Sequence, residues 1–429
     1  MRLVGQSYFV HRFEIGNGSA RTPSEGWRES LPLIQPPQAR LSDGRAILRI
    51  GDLQVPISQS AEVVSGSNPW IAHSEGRTLQ VGGILGGSLV LGFDPWFAMG
   101  AGLLGFAVPD DGSFGLTNQQ HTPWLDLFAD EFAAALGRVG IEIRRRSFWP
   151  ANAPFALCLT HDVDRQRKTF QYATHIGRKK GLRGATKQRV RANRPYWGFD
   201  VIRDIERAAG LRSTFFMLQE GAQAKRGPRN RILAWGLADF EHPELASTVV
   251  ALAQDRWEIG LHASLASTAA LDRLVLEKQK LEAIVGKNVD GVRQHHLRVK
   301  VPNRWDEFTR AGLVYDSSFG FRHTWGFRAG TAFPYSLAGS KDFLPLHEVP
   351  LHIMESTLAS SDDAWGECVR ALDAVESVGG VLTVLFHQRF FDAGNFPGYA
   401  ELYERLVAEA RRRGAWIGPG REVVRAWLG

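Results

Sequence analysis

Two carboxylates stand close together directly after an apolar run. The run FALCL, residues 155–159, is followed at once by THDVD, residues 160–164. Asp162 and Asp164 are two positions apart, so in an extended chain their side chains share a face. Carboxylates are ligands for divalent cations, and they also act as general bases. The pair therefore indicates metal binding, proton transfer or both.

Imidazole side chains follow three later apolar runs in the same way. His262 directly follows WEIGL, Arg293 and His295 lie in GVRQHH, and His387 directly follows VLTVLF. A lone strand-end Asp is often a cap or turn residue, and a lone His is often structural. Those explanations suit four strand ends in order along the chain poorly, so we interpret these residues as functional. His161 stays open between the two interpretations.

The elements that position these residues alternate between strands and helices from residue 154 onward. Such alternation predicts β/α units with a parallel sheet, open or closed into a barrel, whose active site lies at the carboxyl ends of the strands. The predicted strands are 155–160, 213–218, 257–261, 291–295, 346–351, 381–386 and 415–417. The predicted helices are 200–209, 243–254, 271–285, 303–311, 362–378 and 399–412.

The length of 429 residues indicates more than one domain. We predict an amino-terminal mixed α/β domain over residues 1–150, of unknown role, and a catalytic domain over residues 151–429. The first contains short apolar runs between Pro- and Gly-rich stretches. It also contains a helix at 123–136 that carries Asp126 on its polar side. It shows no catalytic constellation.

Composition limits the environment and the partners. Two cysteines, Cys158 and Cys368, cannot form a disulfide framework or a Cys-rich zinc site. The amino terminus lacks the apolar region of a signal peptide, so we predict a cytoplasmic protein. The apolar segment 82–108 contains glycines and Asp94–Pro95, which favour strands or a strand and helix over a membrane span. Shallow contact with a membrane surface stays open.

Basic residues are concentrated in one stretch. Residues 165–194 hold eleven Lys or Arg and no Asp or Glu, within a chain of net charge +6. The stretch is either a solvated excursion or a surface for an anionic partner such as a phosphate, an acidic glycan or a lipid headgroup. No nucleic-acid-binding motif accompanies it, so we do not expect a nucleic acid partner.

The motif set THDVD, GLHAS, RQHHLR and LFHQ resembles the NodB-homology polysaccharide deacetylases. The resemblance covers about residues 154–429. It implies an α/β fold, a distorted (β/α) barrel of the polysaccharide deacetylase type, and removal of N-acetyl groups from amino sugars with a divalent metal, zinc first. It also makes Asp162 the general base and Asp164 a metal ligand.

The remaining roles follow from the same resemblance. The second motif, His-[Ser/Thr]-x-x-His, begins at His262, but its second histidine is replaced by Ala266. His295 is our candidate for the absent ligand, with His296 in reserve. Arg293 resembles the arginine that orients the catalytic aspartate. His387 resembles the histidine that acts as general acid.

A segment rich in glycine and aromatic residues follows, with YDSSFGF at 315–321 and GFRAGT at 326–331. We interpret it as a loop over the site, with Asp316 and Arg328 as candidate substrate ligands. Arg328 suits a carboxylate or phosphate. A structural ion pair is the alternative.

The sequence thus predicts a metal-dependent hydrolase that removes an N-acyl group from an amino sugar. The resemblance places it in bacterial surface-polysaccharide biosynthesis, with a carbohydrate substrate that is free or linked to a nucleotide or lipid. Two alternatives stay open. One is a non-catalytic protein that binds a glycan or partner, which Ala266 favours. The other is an amidase for a small C–N substrate.

Overall fold

The structure of the protein is a computed structural model. It describes residues 2–15, 46–50, 53–57, 67–74, 77–85, 88–91, 95–104, 119–166, 196–220, 237–301, 303–337, 345–359 and 361–429. The basic stretch 165–194, apart from its first two residues, lies outside these ranges.

The chain divides into two compact units. The first comprises Met1–Phe148 and Gly326–Ala338, and the second comprises Trp149–Trp325 and Gly339–Gly429. The predicted division at residue 150 lies close to the first of these boundaries. No sequence pattern indicated that residues 326–338 join the first unit, and they carry Arg328 with them.

The first unit combines helices with antiparallel strands. The elements are α1 (Arg2–Arg12), β1 (Phe13–Ile15), β2 (Ala46–Ile50), β3 (Leu53–Ile57), β4 (Ser67–Ser74), β5 (Arg77–Leu85), β6 (Ser88–Leu91), α2 (Pro95–Leu103), α3 (Trp124–Arg138), β7 (Ile143–Arg145) and β13 (Tyr335–Ser336). The five-stranded sheet has the strand order β3-β2-β4-β5-β6, and β1 pairs with β7.

The apolar segment 82–108 is divided among the end of β5, β6 and α2. Pro95 is the first residue of α2, where a missing backbone N–H costs nothing. Among the described residues, no helix has both the length and the apolar character that crossing a membrane requires.

Asp126 corrects one expectation for the first unit. It lies in α3 but is fully buried, not on a polar side. Its carboxylate accepts hydrogen bonds from the Ala332 amide at 2.7 Å and from Thr331 Oγ1 at 2.7 Å, and also from the Tyr8 hydroxyl. The excursion 326–338 thus supplies donors that a sequence window around the helix does not contain.

The second unit alternates strands and helices. Its elements are β8 (Ala156–Val163), α4 (Phe199–Ala208), β9 (Thr214–Leu218), α5 (Pro243–Gln254), β10 (Glu258–Ala263), α6 (Leu271–Val285), β11 (Gly291–Gln294), α7 (Asn303–Arg310), β12 (Tyr315–Asp316), β14 (His347–Glu348), β15 (Ile353–Met354), α8 (Glu355–Leu358), α9 (Ala364–Val378), β16 (Val381–Leu385), α10 (Tyr399–Arg412), β17 (Trp416–Gly418) and α11 (Gly420–Leu428).

These strands form one parallel sheet in the order β14-β12-β11-β10-β9-β8-β16-β15, and β17 pairs with the start of β8. Every residue of β8, β9, β10, β11 and β16 is buried, as is typical of a parallel sheet covered on both faces. The parallel β/α arrangement confirms the predicted fold class.

The sheet curls into a distorted barrel because one chain segment spans its two edges. After β14, the Val349 amide donates to Asp316 O at 2.8 Å on one edge. Three residues later the His352 amide donates to Thr383 O at 3.0 Å on the other edge. The predicted strand 346–351 is therefore too long, since the observed strand β14 ends at Glu348.

Aromatic side chains fill part of the barrel interior, and glycines make room for them. A Cβ on Gly260 would lie 2.5 Å from the Phe216 ring, and one on Gly291 would lie 2.4 Å from the Tyr315 ring. Both glycines lie in strands that lead to the residues discussed below, so this packing fixes the position of those strands.

Candidate active site

The carboxyl ends of four strands bring the predicted residues together. Asp162 lies near the end of β8 and Asp164 follows it, His262 lies in β10, and His387 follows β16. His295 is the first residue of a 3-10 turn that begins where β11 ends. Ligand atoms of Asp164, His262 and His295 all lie within 4.8 Å of one another, and all three residues are buried.

Asp164 is the centre of this cluster. Its Oδ1 lies 3.1 Å from His262 Nε2 and 3.8 Å from His295 Nε2, and its Oδ2 lies 3.2 Å from His387 Nε2. Burial raises the pKa of Asp164, but the nearby charge of His387 outweighs burial and holds the pKa well below its usual range. The carboxylate is therefore ionised at neutral pH.

Two imidazoles present an Nε2 atom to Asp164 because their Nδ1 atoms are held elsewhere. His262 Nδ1 donates to the Arg293 carbonyl oxygen at 2.9 Å, and that oxygen can only accept. His295 Nδ1 lies 3.0 Å from Oε2 of Glu220. Histidine ligands of metals are commonly held through their other nitrogen in this way. Burial lowers the pKa of His262, but Asp162 and Asp164 raise it above its ordinary value.

These groups fit a divalent cation. Oδ1 of Asp164 is buried and, among the described residues, has no hydrogen-bond partner, although His262 Nε2 lies at 3.1 Å. This close approach is explained if Asp164 Oδ1 and His262 Nε2 each direct a lone pair at one shared cation. One carboxylate and two imidazoles are the ligand types that zinc takes in catalytic sites, where a further position stays open to substrate.

Asp162 is held by a buried arginine. Arg293 Nη1 donates to Asp162 Oδ1 at 2.9 Å and to Thr160 Oγ1 at 2.8 Å. The other guanidinium nitrogens donate to Ser317, Nε to the carbonyl oxygen at 2.7 Å and Nη2 to Oγ at 2.8 Å. With four donors engaged, Arg293 fixes the direction of the Asp162 carboxylate and compensates its charge. The second oxygen, Oδ2, lies 3.6 Å from His262 Nε2.

His387 has a carboxylate partner that the sequence analysis missed. Its Nδ1 donates to Oε1 of Glu355 at 2.8 Å, and its backbone amide donates to Oε2 at 3.1 Å. Burial lowers the pKa of His387, but the charges of Glu355 and Asp164 raise it to about 10. The imidazolium is thus the neutral-pH form, and its Nε2 carries a proton.

Two histidines from the sequence analysis lie outside this cluster. His161 is fully buried, with Nδ1 2.7 Å from Phe386 O and Nε2 3.0 Å from Oε1 of Glu206, so it has a structural role. His296 adopts a φ of 59° and stacks on His295, with ring centroids 4.0 Å apart. It therefore supports the His295 ring.

Of the two predicted substrate ligands, Asp316 is engaged elsewhere in the fold. Asp316 is fully buried in β12, where Trp305 Nε1 donates to it at 3.0 Å and Ser318 Oγ donates to its other oxygen. It therefore holds the loop after the strand rather than a ligand. Arg328 is buried within the first unit, and its role in binding substrate stays a prediction.

The position of the replaced motif histidine is exposed to solvent. Ala266 is exposed at the start of a 3-10 turn. The preceding Leu265 amide donates to Oε1 of Glu220 at 2.6 Å, while Oε2 of the same carboxylate lies near His295. Glu220 therefore connects the loop that lacks the motif histidine to the residue proposed in its place.

The chain is similar to several solved structures. No protein-family model and no curated protein matches it. A protein from Mycobacterium smegmatis, assigned as a polysaccharide deacetylase, is 19% identical with a TM-score of 0.44, over 65% of this chain and 92% of that one. One from Pseudomonas aeruginosa PAO1, with the same assignment, is 13% identical with a TM-score of 0.44, over 66% and 94%.

The solved structures that it resembles include polysaccharide deacetylases. A CE4 family pseudoenzyme from Bacillus anthracis also matches, at 12% identity with a TM-score of 0.33, over 63% of this chain and 65% of that one. Polysaccharide deacetylases are the class that the sequence motifs around Asp162 and His387 indicate.

Proposed function

We propose that the protein is a metal-dependent hydrolase that removes an N-acyl group, acetyl first, from an amino sugar. One observation carries the proposal. The cluster of Asp164, His262 and His295 lies beside Asp162, whose carboxylate is held by an arginine, and beside His387, whose Nδ1 is held by a carboxylate. Amide hydrolysis needs a proton acceptor for water and a proton donor for the amine, and the site provides both.

The roles of the protein groups follow from their contacts. Asp162, directed by Arg293, accepts the proton of the attacking water. His387, charged through Glu355 and Asp164, gives its Nε2 proton to the departing amine. Asp164, His262 and His295 would hold a divalent cation, zinc first. When bound, the cation polarises the acyl carbonyl and makes water more acidic.

The substrate class rests on the sequence motifs. We propose a carbohydrate that is free or carried on a nucleotide or lipid, and a place in the assembly of a bacterial surface polysaccharide. The arginines near the site, taken up below, bear on the charge of that substrate.

Acetate release from N-acetylated sugars tests the function. Zinc-loaded wild-type protein should release acetate, and Asp162→Asn should reduce the rate by about 10²-fold or more while the bound zinc stays. His387→Ala should have a similar effect. A wild-type rate equal to that of Asp162→Asn, on every sugar offered, would contradict the proposal.

A non-catalytic member that binds a glycan is the second candidate, and Ala266 is the observation that favours it. Zinc binding separates the two. A protein that holds no zinc but still binds N-acetylated sugar supports the binding function. A stoichiometric zinc that is lost in His295→Ala supports the enzyme.

A further inference from the structure

Two arginines lie beside Asp164 and have no role in the chemistry described so far. Arg165 follows Asp164 directly in the chain. Arg389 follows His387 by two residues, and its Nη1 lies 3.7 Å from Asp164 Oδ2. Both arginines therefore lie next to Asp164, one through the chain and the other through its side chain.

Both guanidinium groups keep donors that the described protein groups do not use. Arg165 Nη1 and Arg389 Nε are buried and have no hydrogen-bond partner among the described residues. A buried cation without a hydrogen-bond acceptor is costly, and such groups are normally paired. Asp164, the nearby acid, already has His262 and His387 within 3.2 Å of its oxygens.

The other acids of the site are also engaged. Asp162 is paired with Arg293, Glu355 with His387, and Glu220 with His295. Once Asp164 serves as a cation ligand, neither Arg165 nor Arg389 retains a carboxylate of its own. The site then carries excess positive charge beside the cation ligands.

The backbone around both arginines is fixed. Arg165 forms an antiparallel bridge with Leu237, and the Gln388 side chain donates to Arg165 O. The Arg389 guanidinium lies over the Phe390 ring, 5.4 Å from its centre. Arg389 is 24% exposed, so a ligand can reach it. These contacts hold the backbone of Arg165 and the guanidinium of Arg389 in place.

We propose that Arg165 and Arg389 bind an anionic oxygen group of the substrate, a carboxylate or a phosphate, next to the acylated amine. The guanidinium fork binds both groups with paired hydrogen bonds. The proposal rests on the proposed function and narrows its substrate class from N-acylated sugars in general to acidic or phosphorylated ones.

Calorimetric titration with three sugars tests the proposal. Zinc-loaded Asp162→Asn, which slows turnover, is titrated with N-acetylglucosamine, N-acetylglucosaminuronic acid and N-acetylglucosamine 1-phosphate. Arg165→Gln and Arg389→Gln are added to this background in turn. The matched control is Arg310→Gln, which removes an exposed arginine at the end of α7. Zinc content and melting temperature are recorded for every variant, and Arg165→Lys replaces Arg165→Gln if the latter does not fold.

We expect an anionic sugar to bind at least 10-fold tighter than N-acetylglucosamine. Each Arg→Gln change should weaken that binding by about 10- to 100-fold, the range for hydrogen bonds to charged groups, and leave neutral sugar and the Arg310→Gln control nearly unchanged. The tighter of the two anionic sugars identifies carboxylate or phosphate as the group.

Three results would overturn the proposal. They are equal affinity for neutral and anionic sugars, no binding of either anionic sugar at millimolar concentration, and equal losses for neutral and anionic sugars in the arginine variants. Failure of the proposed function looks different. In that case no sugar loses its acetyl group, while the preference for the anionic sugars and its dependence on both arginines persist.

Discussion

Glu220 provides a direct test of His295 as a metal ligand. One oxygen of its carboxylate lies 3.0 Å from His295 Nδ1, and the other accepts the Leu265 amide at 2.6 Å. Burial raises the pKa of Glu220, but the nearby charge of His295 and the hydrogen bond from the Leu265 amide lower the pKa below its ordinary value. The carboxylate is therefore ionised at neutral pH, and it directs Nε2 of His295 toward Asp164.

The structure sets the size of the expected effect. Removing the group that holds the other nitrogen of a histidine ligand weakens metal binding by about 10- to 100-fold, or about 1.4 to 2.7 kcal/mol. Glu220→Gln keeps one acceptor oxygen, so we expect zinc affinity to fall by about 10-fold. Glu220→Ala removes both contacts, so we expect zinc affinity to fall by about 100-fold. Binding should not disappear, because Asp164 and His262 keep their own contacts.

Competition between the protein and a zinc chelator of known affinity measures this effect without any substrate. Glu404→Gln, on the exposed side of α10, removes the same charge away from the site and should bind zinc like wild type. Wild-type zinc affinity in Glu220→Ala, with an unchanged melting temperature, would refute His295 as a ligand held by Glu220.

Three further predictions concern other parts of the second unit. Glu355→Gln should lower kcat by about 10²-fold through its effect on His387, with zinc affinity unchanged in the chelator assay; a lost zinc ion would instead make Glu355 part of the metal site. Gly260→Ala places a Cβ 2.5 Å from an aromatic ring of β9 and should lower the free energy of unfolding in urea by about 1–3 kcal/mol, so an unchanged midpoint would show that the barrel interior is loosely packed. Burial raises the pKa of both Cys158 and Cys368 to about 12, so a thiol reagent at pH 8 should react only in denaturant, and rapid reaction with native protein would count against their burial.

Much of the barrel could be predicted because its signals are local. Three helices have the predicted bounds, Pro243–Gln254, Leu271–Val285 and Tyr399–Arg412. The first begins with a proline, and the second is followed by Gly286 with a φ of 74°, which are ordinary helix boundaries.

The excursion 326–338 could not be predicted because the contacts that position it are distant in the sequence. Its place in the first unit depends on hydrogen bonds from Thr331 and Ala332 to Asp126, about two hundred positions away in the chain. The same contacts bury a carboxylate that helical periodicity assigns to the surface. No pattern within a short window contains that information.

The strand-end residues of the site could be predicted, and the residues that hold them could not. A parallel sheet brings strand ends together, so the placement of Asp164 and His262 followed from order along the chain. Glu220 and Glu355 are single acids outside any motif, and their roles arise only when loops pack against His295 and His387. Arg389 directly follows the LFHQ motif, so its place near His387 could have been predicted from the sequence.

His295 and His296 show where periodicity stops being informative. Alternation along a strand places Arg293 and His295 on one face, but β11 ends at Gln294. The direction of the two histidines is set by the 3-10 turn and by the φ of 59° at His296. A strand rule alone therefore does not decide between them, whereas the turn geometry does.

The zinc content of the purified full-length protein tests the central claim most directly. Wild type should bind one zinc ion per chain after zinc is offered, and His262→Ala and His295→Ala should each lose most of it, with melting temperatures recorded to exclude unfolding. Retention of one tightly held zinc in His295→Ala would contradict the ligand set. Absence of zinc binding in wild type would contradict the metal-dependent hydrolase itself.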